Sequence, residues 1–238
     1  SFDILGTGSR VPRKVVTNDD LTEFLDTSDE WIYTRTGIRK RHVLTDETLL
    51  DLAVGSAEIA LEDAKTSPSE IGFVLAATMR GDTVTPSFAF CVAEKLGIAA
   101  PAFDVNAACV GVLYCMELAD SLISTGKADK ILIVSAEAMS KLVDWNDRAS
   151  CVLFGDGSGA MVVGKGEGRL AGILSGKPDS VSIRMPSFEG ESRFNEIKAE
   201  KMVMHMDGQE VYKFAVNAMG HEIENVCQKA SIEPAEVD

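Results

Sequence analysis

The segment FDVNAACVGVLYCMELADSL, residues 103–122, joins a short apolar run to a longer stretch with apolar residues at three- and four-residue spacing. The first part predicts a buried strand and the second part a buried helix. Two small residues, Ala107 and Ala108, precede Cys109 at the junction. A thiol at this position is either core filling or a nucleophile, and the position alone leaves both interpretations open.

Similar apolar runs recur along the chain and predict further buried strands. They are FDILGTGS, IGFVLAAT, PAFDVN, KILIVSAE and GAMVVGK. Helical patterns alternate with them, among them TLLDLAVGSAEIALEDA, FAFCVAEKLG and VGVLYCMELADSLIS. This alternation predicts an α/β fold with a mostly parallel sheet that helices cover on both faces.

A weak internal repeat indicates two similar halves. The sequence PSEIG at 68–72 follows one helical pattern, and PAEVD at 234–238 follows another, at an offset of 166 residues. We therefore expect a first half at 1–165, which carries Cys109, and the start of a second half at 166–238. By this interpretation the second half is incomplete in these 238 residues.

Composition narrows the class of protein. The formal net charge of −14 argues against nucleic-acid binding, which needs a basic surface. The sequence contains no run of about 18 uncharged apolar residues, so no membrane span is predicted. The first residues lack the features of a signal peptide. Five cysteines without a CxxC pair favour reduced thiols. We therefore expect a cytoplasmic protein that binds neither membrane nor nucleic acid.

Several local patterns have simple structural interpretations. GTGSR at 6–10 lacks the third glycine of a dinucleotide fingerprint and predicts a turn at a strand end. FGDGSGA at 154–160 lacks the Lys-Ser/Thr of a phosphate-binding loop, so its glycines predict a tight turn and close strand approach. TSDEWI predicts a helix start capped by Thr27 and Glu30. The histidines have no metal-ligand spacing, and no metal is expected.

The cluster RTGIRKRH contains Arg35, Arg39, Lys40 and Arg41 within an otherwise acidic chain. Such a cluster is either a solvated turn or an anchor for a phosphorylated ligand. The residues alone leave both interpretations open.

Cys109 differs from the other cysteines in its position. Cys91, Cys115, Cys151 and Cys227 lie in apolar segments and are predicted to be small buried hydrophobes. Cys109 lies where a helix begins, and unpaired backbone N–H groups and the positive end of the helix dipole stabilise a thiolate there.

Taken together, these segments resemble the β-ketoacyl-[acyl-carrier-protein] synthase III family. The matching pieces are GTGSRVP, TSDEWIxxRTGIxxRH, FDVNAACVGVLY, NDRASCVLFGDGSGA and MDGQEVYKFAV, in the family's order. The resemblance implies a thiolase-like fold of two similar α/β halves. It also implies condensation of an acyl-CoA with malonyl-acyl carrier protein through an acyl-cysteine, the step that initiates fatty acid biosynthesis. A homodimer is also implied. The resemblance implies no cofactor, since coenzyme A enters as the thioester substrate.

Carried over by position, the resemblance implies that Cys109 is the nucleophile. It implies that Trp31 and Arg148 enclose the adenine of coenzyme A and that Arg35 faces its phosphates. Phe154 is expected to wall the acyl end. Thr85 lies in a loop where some relatives carry a bulky aromatic residue that reaches the acyl pocket of the partner subunit, and the small residue here leaves the acyl-chain length open. The family's His and Asn, in HQAN-like and GNTS-like segments, have no match in this sequence. We expect them beyond residue 238.

Two other functions remain open at this stage. One is a related enzyme of secondary metabolism, which primes a polyketide or transfers an acyl group to an alcohol or amine. The other is a coenzyme-A-binding remnant without catalytic activity.

Overall fold

A computed structural model describes residues 1–187, 193–194 and 200–237. The chain forms two compact units that alternate along the sequence. The first unit contains Ser1–Val15, His42–Ala138 and Gly155–Gly172, and the second contains 16–41, 139–154 and the described residues from 173 onward. The predicted halves at 1–165 and 166–238 are defined by the sequence repeat, and their boundaries differ from those of these units. The division into halves stays a prediction.

The helices and strands have the following bounds. The strands are β1 (Phe2–Arg10), β2 (Lys14–Thr17), β3 (Lys40–Val43), β4 (Phe73–Ala77), β5 (Ala102–Val105), β6 (Lys130–Ala138), β7 (Asp156–Lys165), β8 (Ile183–Arg184) and β9 (His205–Met206). The helices are α1 (Asn18–Thr22), α2 (Asp29–Thr36), α3 (Leu49–Asp63), α4 (Phe88–Leu96), α5 (Gly111–Ser124) and α6 (Gly208–Ala230). Each of the strands and helices predicted above is present.

The first unit is built on a five-stranded sheet with the order β1-β7-β6-β4-β5. β4 is parallel to both β5 and β6, whereas β7 is antiparallel to both β1 and β6. β7 alone therefore runs against the other four strands. The predicted α/β class with a mostly parallel sheet is confirmed.

Helices cover both faces of this sheet, as predicted. One apolar cluster joins α3 and α4 to Val74 and Leu132, and a second joins α5 to Leu75 and Ile133. Successive side chains of a strand point to opposite faces, so β4 and β6 contribute to both clusters. This two-sided burial explains why their sequences are continuous apolar runs.

The prediction of a turn at GTGSR is wrong. Residues 6–10 lie inside β1 and pair with β7. A Cβ atom added at Gly8 would lie 2.7 Å from the backbone nitrogen of Ala60 in α3, closer than real Cβ contacts. Gly8 therefore allows α3 to pack directly on the strand.

In the second unit, the side chain of Asn18 connects several segments. It donates to Asp29 Oδ1 at 2.8 Å and to the carbonyl of Ile38 at 2.7 Å. The helix start predicted at TSDEWI is present, but its cap is Ser28, which accepts from the N–H of Trp31. The predicted capping box of Thr27 and Glu30 is therefore wrong, because Ser28 caps the helix through a single hydrogen bond and Trp31 at the third helical position cannot complete a box.

The two ends of the sequence repeat have the same local structure. Pro68–Glu70 and Pro234–Glu236 each form a 3-10 turn with a capping box. The second turn follows α6, which begins after Asp207, whose side chain accepts from Gln209 and Glu210 N–H groups. Among the described residues, no helix combines the length and apolar character that a membrane-spanning helix requires.

Candidate active site

Cys109 lies between a strand and a helix, as the sequence predicts. β5 ends at Val105, a 3-10 turn covers Ala108–Val110, and α5 begins at Gly111. Cys109 is exposed, whereas Cys91 is half-buried and Cys115, Cys151 and Cys227 are buried. The prediction of buried cysteines is therefore confirmed for three of the four, and Cys109 is the thiol that reagents and substrates can reach most easily.

The turn that carries Cys109 is tightly constrained. Ala108 has a φ of 45°, in the left-handed region that residues with a Cβ atom rarely adopt. A Cβ atom added at Gly111 would lie 2.9 Å from Cβ of Ala77, so the start of α5 is in close contact with β4. A turn with this conformation persists only where its surroundings enforce it, and the contact with β4 fixes the position of α5 directly after it.

Three residues beside this turn form a short chain of hydrogen bonds. The backbone N–H of Met79 donates to Glu137 Oε1 at 2.6 Å. The side-chain amide of Asn106 donates to the carbonyl of Met79 at 3.5 Å, a long hydrogen bond. Met79, Asn106 and Glu137 lie at the carboxyl ends of three parallel strands, which meet at one edge of the sheet.

Burial changes the acid–base properties of two groups near this edge. It raises the pKa of Glu137 to about 7, although the hydrogen bond from Met79 acts in the opposite direction. The second carboxyl oxygen, Oε2, is buried and has no hydrogen-bond partner in the described part of the chain. In α5, burial raises the pKa of the Cys115 thiol to about 12, so this thiol stays protonated at neutral pH.

In the second unit, the predicted residues Trp31, Arg35 and Arg148 lie together. Arg35 Cζ is 4.5 Å and Arg148 Cζ is 4.9 Å from the centroid of the Trp31 ring. Arg148 also donates to the carbonyl of Asp26 and lies 3.6 Å from its carboxylate. An indole ring flanked by two guanidinium groups is a surface on which a flat, electron-rich ring can stack.

The other arginines of the basic cluster have different surroundings. Arg39 pairs with Asp29 at 2.6 Å and stacks on Tyr33 at 3.7 Å. Arg41 is only 5% exposed and donates to Asn18 Oδ1 at 2.7 Å. The interpretation of Arg41 as part of a solvent-facing phosphate anchor is therefore wrong, since its guanidinium is used inside the protein.

Phe154 and Thr85 both lie outside the helices and strands. Phe154 is half-buried and follows a 3-10 turn in the second unit, and Thr85 is exposed in the loop before α4 of the first unit. Their predicted roles towards the acyl chain stay predictions. In the described part of the chain, no group of His, Cys, Asp and Glu side chains is arranged to hold a metal ion.

Comparison with known proteins extends this description. The family model for 3-oxoacyl-[acyl-carrier-protein (ACP)] synthase III matches residues 103–180, which include Cys109, Arg148 and Phe154. The β-ketoacyl-[acyl-carrier-protein] synthase III of Clostridium acetobutylicum is 38% identical over 243 residues, covering 100% of this chain and 75% of that relative. The chain belongs to the synthase III family.

Solved structures agree with this assignment to the synthase III family. The enzyme of Thermus thermophilus matches with a TM-score of 0.89 and 38% identity over 98% of this chain and 74% of that one. The priming β-ketosynthase of the R1128 polyketide biosynthetic pathway matches with a TM-score of 0.85 and 31% identity over 97% and 70%. The predicted thiolase-like fold is thereby confirmed.

Sequence reasoning did not find Met79, Asn106 and Glu137. The only signal was a carboxylate at the end of the apolar run KILIVSAE, where an acidic residue is equally typical of a strand that reaches solvent. The contact between Glu137 and Met79 joins residues 58 positions apart, and such pairing cannot be read from one sequence.

Glu137 should make the stability of this synthase III chain depend on pH. Its folded pKa of about 7 lies above the ordinary value of 4.5, so the folded state holds the proton more tightly. The resulting contribution to the free energy of unfolding is fully present below pH 4.5 and is lost as pH rises through about 7. Relative to Glu137→Gln, the free energy of unfolding of the wild type should fall by about 3 kcal/mol over this interval.

Urea denaturation at several pH values measures this difference. Glu58→Gln is the matched control, because Glu58 is exposed on α3. A difference between wild type and Glu137→Gln that stays constant from acid to neutral pH would contradict the prediction.

Proposed function

We propose that this protein condenses an acyl-CoA with malonyl-acyl carrier protein to give 3-oxoacyl-acyl carrier protein, and so initiates fatty acid biosynthesis. The observation that carries the proposal is the exposed Cys109 thiol, held at the turn between β5 and α5 in a chain of the synthase III family. The protein is then an acyltransferase of the cytoplasm that uses a coenzyme A thioester as substrate and needs no further cofactor.

In the first half-reaction the Cys109 thiolate attacks the carbonyl carbon of the acyl-CoA thioester. The new bond joins the Cys109 sulfur to the acyl carbon, the bond from that carbon to the coenzyme sulfur breaks, and coenzyme A leaves as a thiol after taking up a proton. The backbone N–H of Cys109 stabilises the oxyanion that forms during the attack. The product is an acyl-enzyme.

In the second half-reaction malonyl-acyl carrier protein loses carbon dioxide. The electron pair of the breaking carbon–carbon bond forms a new bond to the acyl carbon on Cys109. The bond between that carbon and the Cys109 sulfur then breaks, which regenerates the thiolate and releases 3-oxoacyl-acyl carrier protein. Negative charge develops on the malonyl thioester oxygen, and groups that stabilise it are needed for this step.

We assign the binding of coenzyme A to Trp31, Arg35 and Arg148. An adenine between Trp31 and Arg148 requires a separation of about 7 Å, twice the usual contact distance. The observed separation is 4.9 Å, so Arg148 must turn away before the adenine enters. This movement breaks the hydrogen bond from Arg148 to the carbonyl of Asp26 as well as the ion pair with its carboxylate. It costs little because both residues are exposed, so water can replace these contacts. We assign Arg35, which stacks on the same ring, to a phosphate of coenzyme A.

Phe154 and Thr85 are proposed to act on the acyl group. The aromatic ring of Phe154 suits an apolar wall around the acyl end, and the small side chain of Thr85 leaves room for acyl chains of different length.

We also propose a homodimer through the loop and helix TPSFAFCVAEKLG. In the first unit, Val84 before this segment is 89% exposed and Phe90 within it is 52% exposed, so apolar area is available for association.

Light scattering at micromolar concentration should give the mass of two chains, and Phe90→Asp should shift the protein towards monomer. A wild-type monomer under these conditions would reject this interface.

The central test of the proposed function follows the acyl group. The purified protein, mixed with acyl-CoA, should gain one acyl group on Cys109 by peptide mass spectrometry. Malonyl-acyl carrier protein should convert this acyl-enzyme into 3-oxoacyl product where the family's His and Asn are also present to stabilise the malonyl thioester oxygen. Cys109→Ala should lower product formation by at least about 10³-fold, because the nucleophile is removed. Cys91→Ala is the control. Product formation that survives in Cys109→Ala would overturn the proposal.

The coenzyme A assignment has its own test. Trp31→Ala should weaken coenzyme A binding several-fold or more, since a stacking contact with a cation contributes about 0.5–2 kcal/mol. Tyr33→Ala is a matched control, because Tyr33 lies on the same helix and also stacks on an arginine. Calorimetry measures both affinities. Equal affinity of Trp31→Ala and the wild type would reject the site.

A further inference from the structure

We propose that Glu137 is a positioning residue for Cys109. Its carboxyl group holds the backbone just beyond β4, and this backbone in turn holds the turn that carries the nucleophile. The inference rests on the proposed function, which gives Cys109 the role of nucleophile.

The first step is that Glu137 lies on the same side of the sheet as α5. Ile131 and Ile133 of β6 belong to the apolar cluster that contains Cys115 of α5. Side chains on one face of a strand recur at every second residue, and Glu137 continues the series from Ile133. Glu137 therefore stands on the α5 side, beyond the last apolar residue of this row.

The second step is the position of Met79 between β6 and the turn with Cys109. In the parallel part of the sheet, Ala77 is paired with Val105 of β5 on one side and with Ser135 of β6 on the other. Two residues further along the same register, Met79 lies between Glu137 and the segment that begins the Cys109 turn. Its N–H donates to Glu137 Oε1 at 2.6 Å, and its carbonyl accepts from Asn106 at 3.5 Å.

The third step is that the turn needs such support. Ala108, directly before Cys109, has a φ of 45°. Strained backbone of this kind persists only where surrounding contacts enforce it. The close approach of Gly111 to Ala77 fixes the turn from the helix side. The hydrogen bonds that join Glu137 to Met79 and Met79 to Asn106 fix the turn from the strand side.

A role in stability alone does not account for the carboxyl group. Its Oε2 is buried without a hydrogen-bond partner in the described part of the chain, and an apolar side chain would avoid this penalty. Oε1 can accept from Met79 whether the group is ionised or neutral. Since the pKa of Glu137 is raised to about 7, both forms occur near neutral pH, and the support is present in each.

Two substitutions separate the hydrogen bond from the volume of the side chain. Glu137→Gln keeps an acceptor oxygen at the same distance along the side chain. Glu137→Met has a similar length and no such acceptor, and methionine adapts well to buried sites. Glu58→Met makes the same chemical change at an exposed position of α3 and is the control.

The primary measurement is the rate at which iodoacetamide modifies each cysteine, followed by peptide mass spectrometry. In the wild type, Cys109 should react before Cys91 and well before Cys115. Glu137→Met should slow the modification of Cys109 about tenfold or more, because a thiolate displaced with the turn loses the backbone N–H groups at the start of α5 that stabilise it. The kcat of acyl transfer should fall by a similar factor while the KM for acyl-CoA stays within about twofold. Glu137→Gln should restore both rates.

The buried Cys115 distinguishes positioning from loss of structure. It lies in α5, six residues after Cys109, and should stay protected in Glu137→Met. Faster labelling of Cys115 would show that α5 had loosened, and the positioning role would be rejected. Unchanged Cys109 labelling in Glu137→Met, or equal slowing in Glu137→Gln, would also reject it.

The labelling experiment requires no acyl-CoA. If the wild type is not acylated by acyl-CoA, the proposed function fails, while the ratio of Cys109 labelling between the two Glu137 variants still decides the positioning role.

Discussion

The start of α5 lies against the end of β4, where Gly111 approaches Ala77 so closely that a methyl group on the glycine would be 2.9 Å away. This contact sets the path of the chain between β5 and α5. The connection has to leave the sheet, turn within a few residues and enter a helix that is packed on the same sheet. Ala108 adopts its left-handed conformation in this turn, and Cys109 reaches solvent as the next residue.

The environment of each thiol along α5 follows from the same packing. Cys109 precedes the first residue of the helix and is exposed, whereas Cys115 faces the apolar cluster with Leu75 and Ile133. Burial raises the pKa of Cys115 to about 12. Two cysteines a short distance apart in sequence therefore differ in exposure, because Cys115 lies on the packed face of α5 and Cys109 lies in the turn before the helix.

Much of the fold was predictable because of two-sided burial. β4 and β6 are covered on both faces, and their continuous apolar runs stand out from the amphipathic pattern of α3. The junction at Cys109 was predictable because an apolar run changes there from strand to helix spacing. Features that depend on contacts between distant segments were not predictable in this way.

Three residues illustrate that limit. The sequence around Gly8 predicts a turn, but glycine is also favoured where a helix packs closely on a strand, and the sequence does not show that α3 is the partner. Arg41 was assigned to a solvent-facing cluster, but its partner Asn18 lies 23 positions away. Glu137 had no assigned role, because its contact with Met79 exists only after β4 and β6 have paired.

The arrangement around Trp31 has an optical consequence. The chain contains two tryptophans. Trp145 lies edge-on to Phe24, and its indole nitrogen donates to the carbonyl of Ser140. Trp31 instead carries a guanidinium carbon within 5 Å of its ring centroid from each of two arginines. Positive charge over an indole face changes the energy of its excited state, so the fluorescence of Trp31 reports directly on whether Arg148 rests on the ring or has moved away.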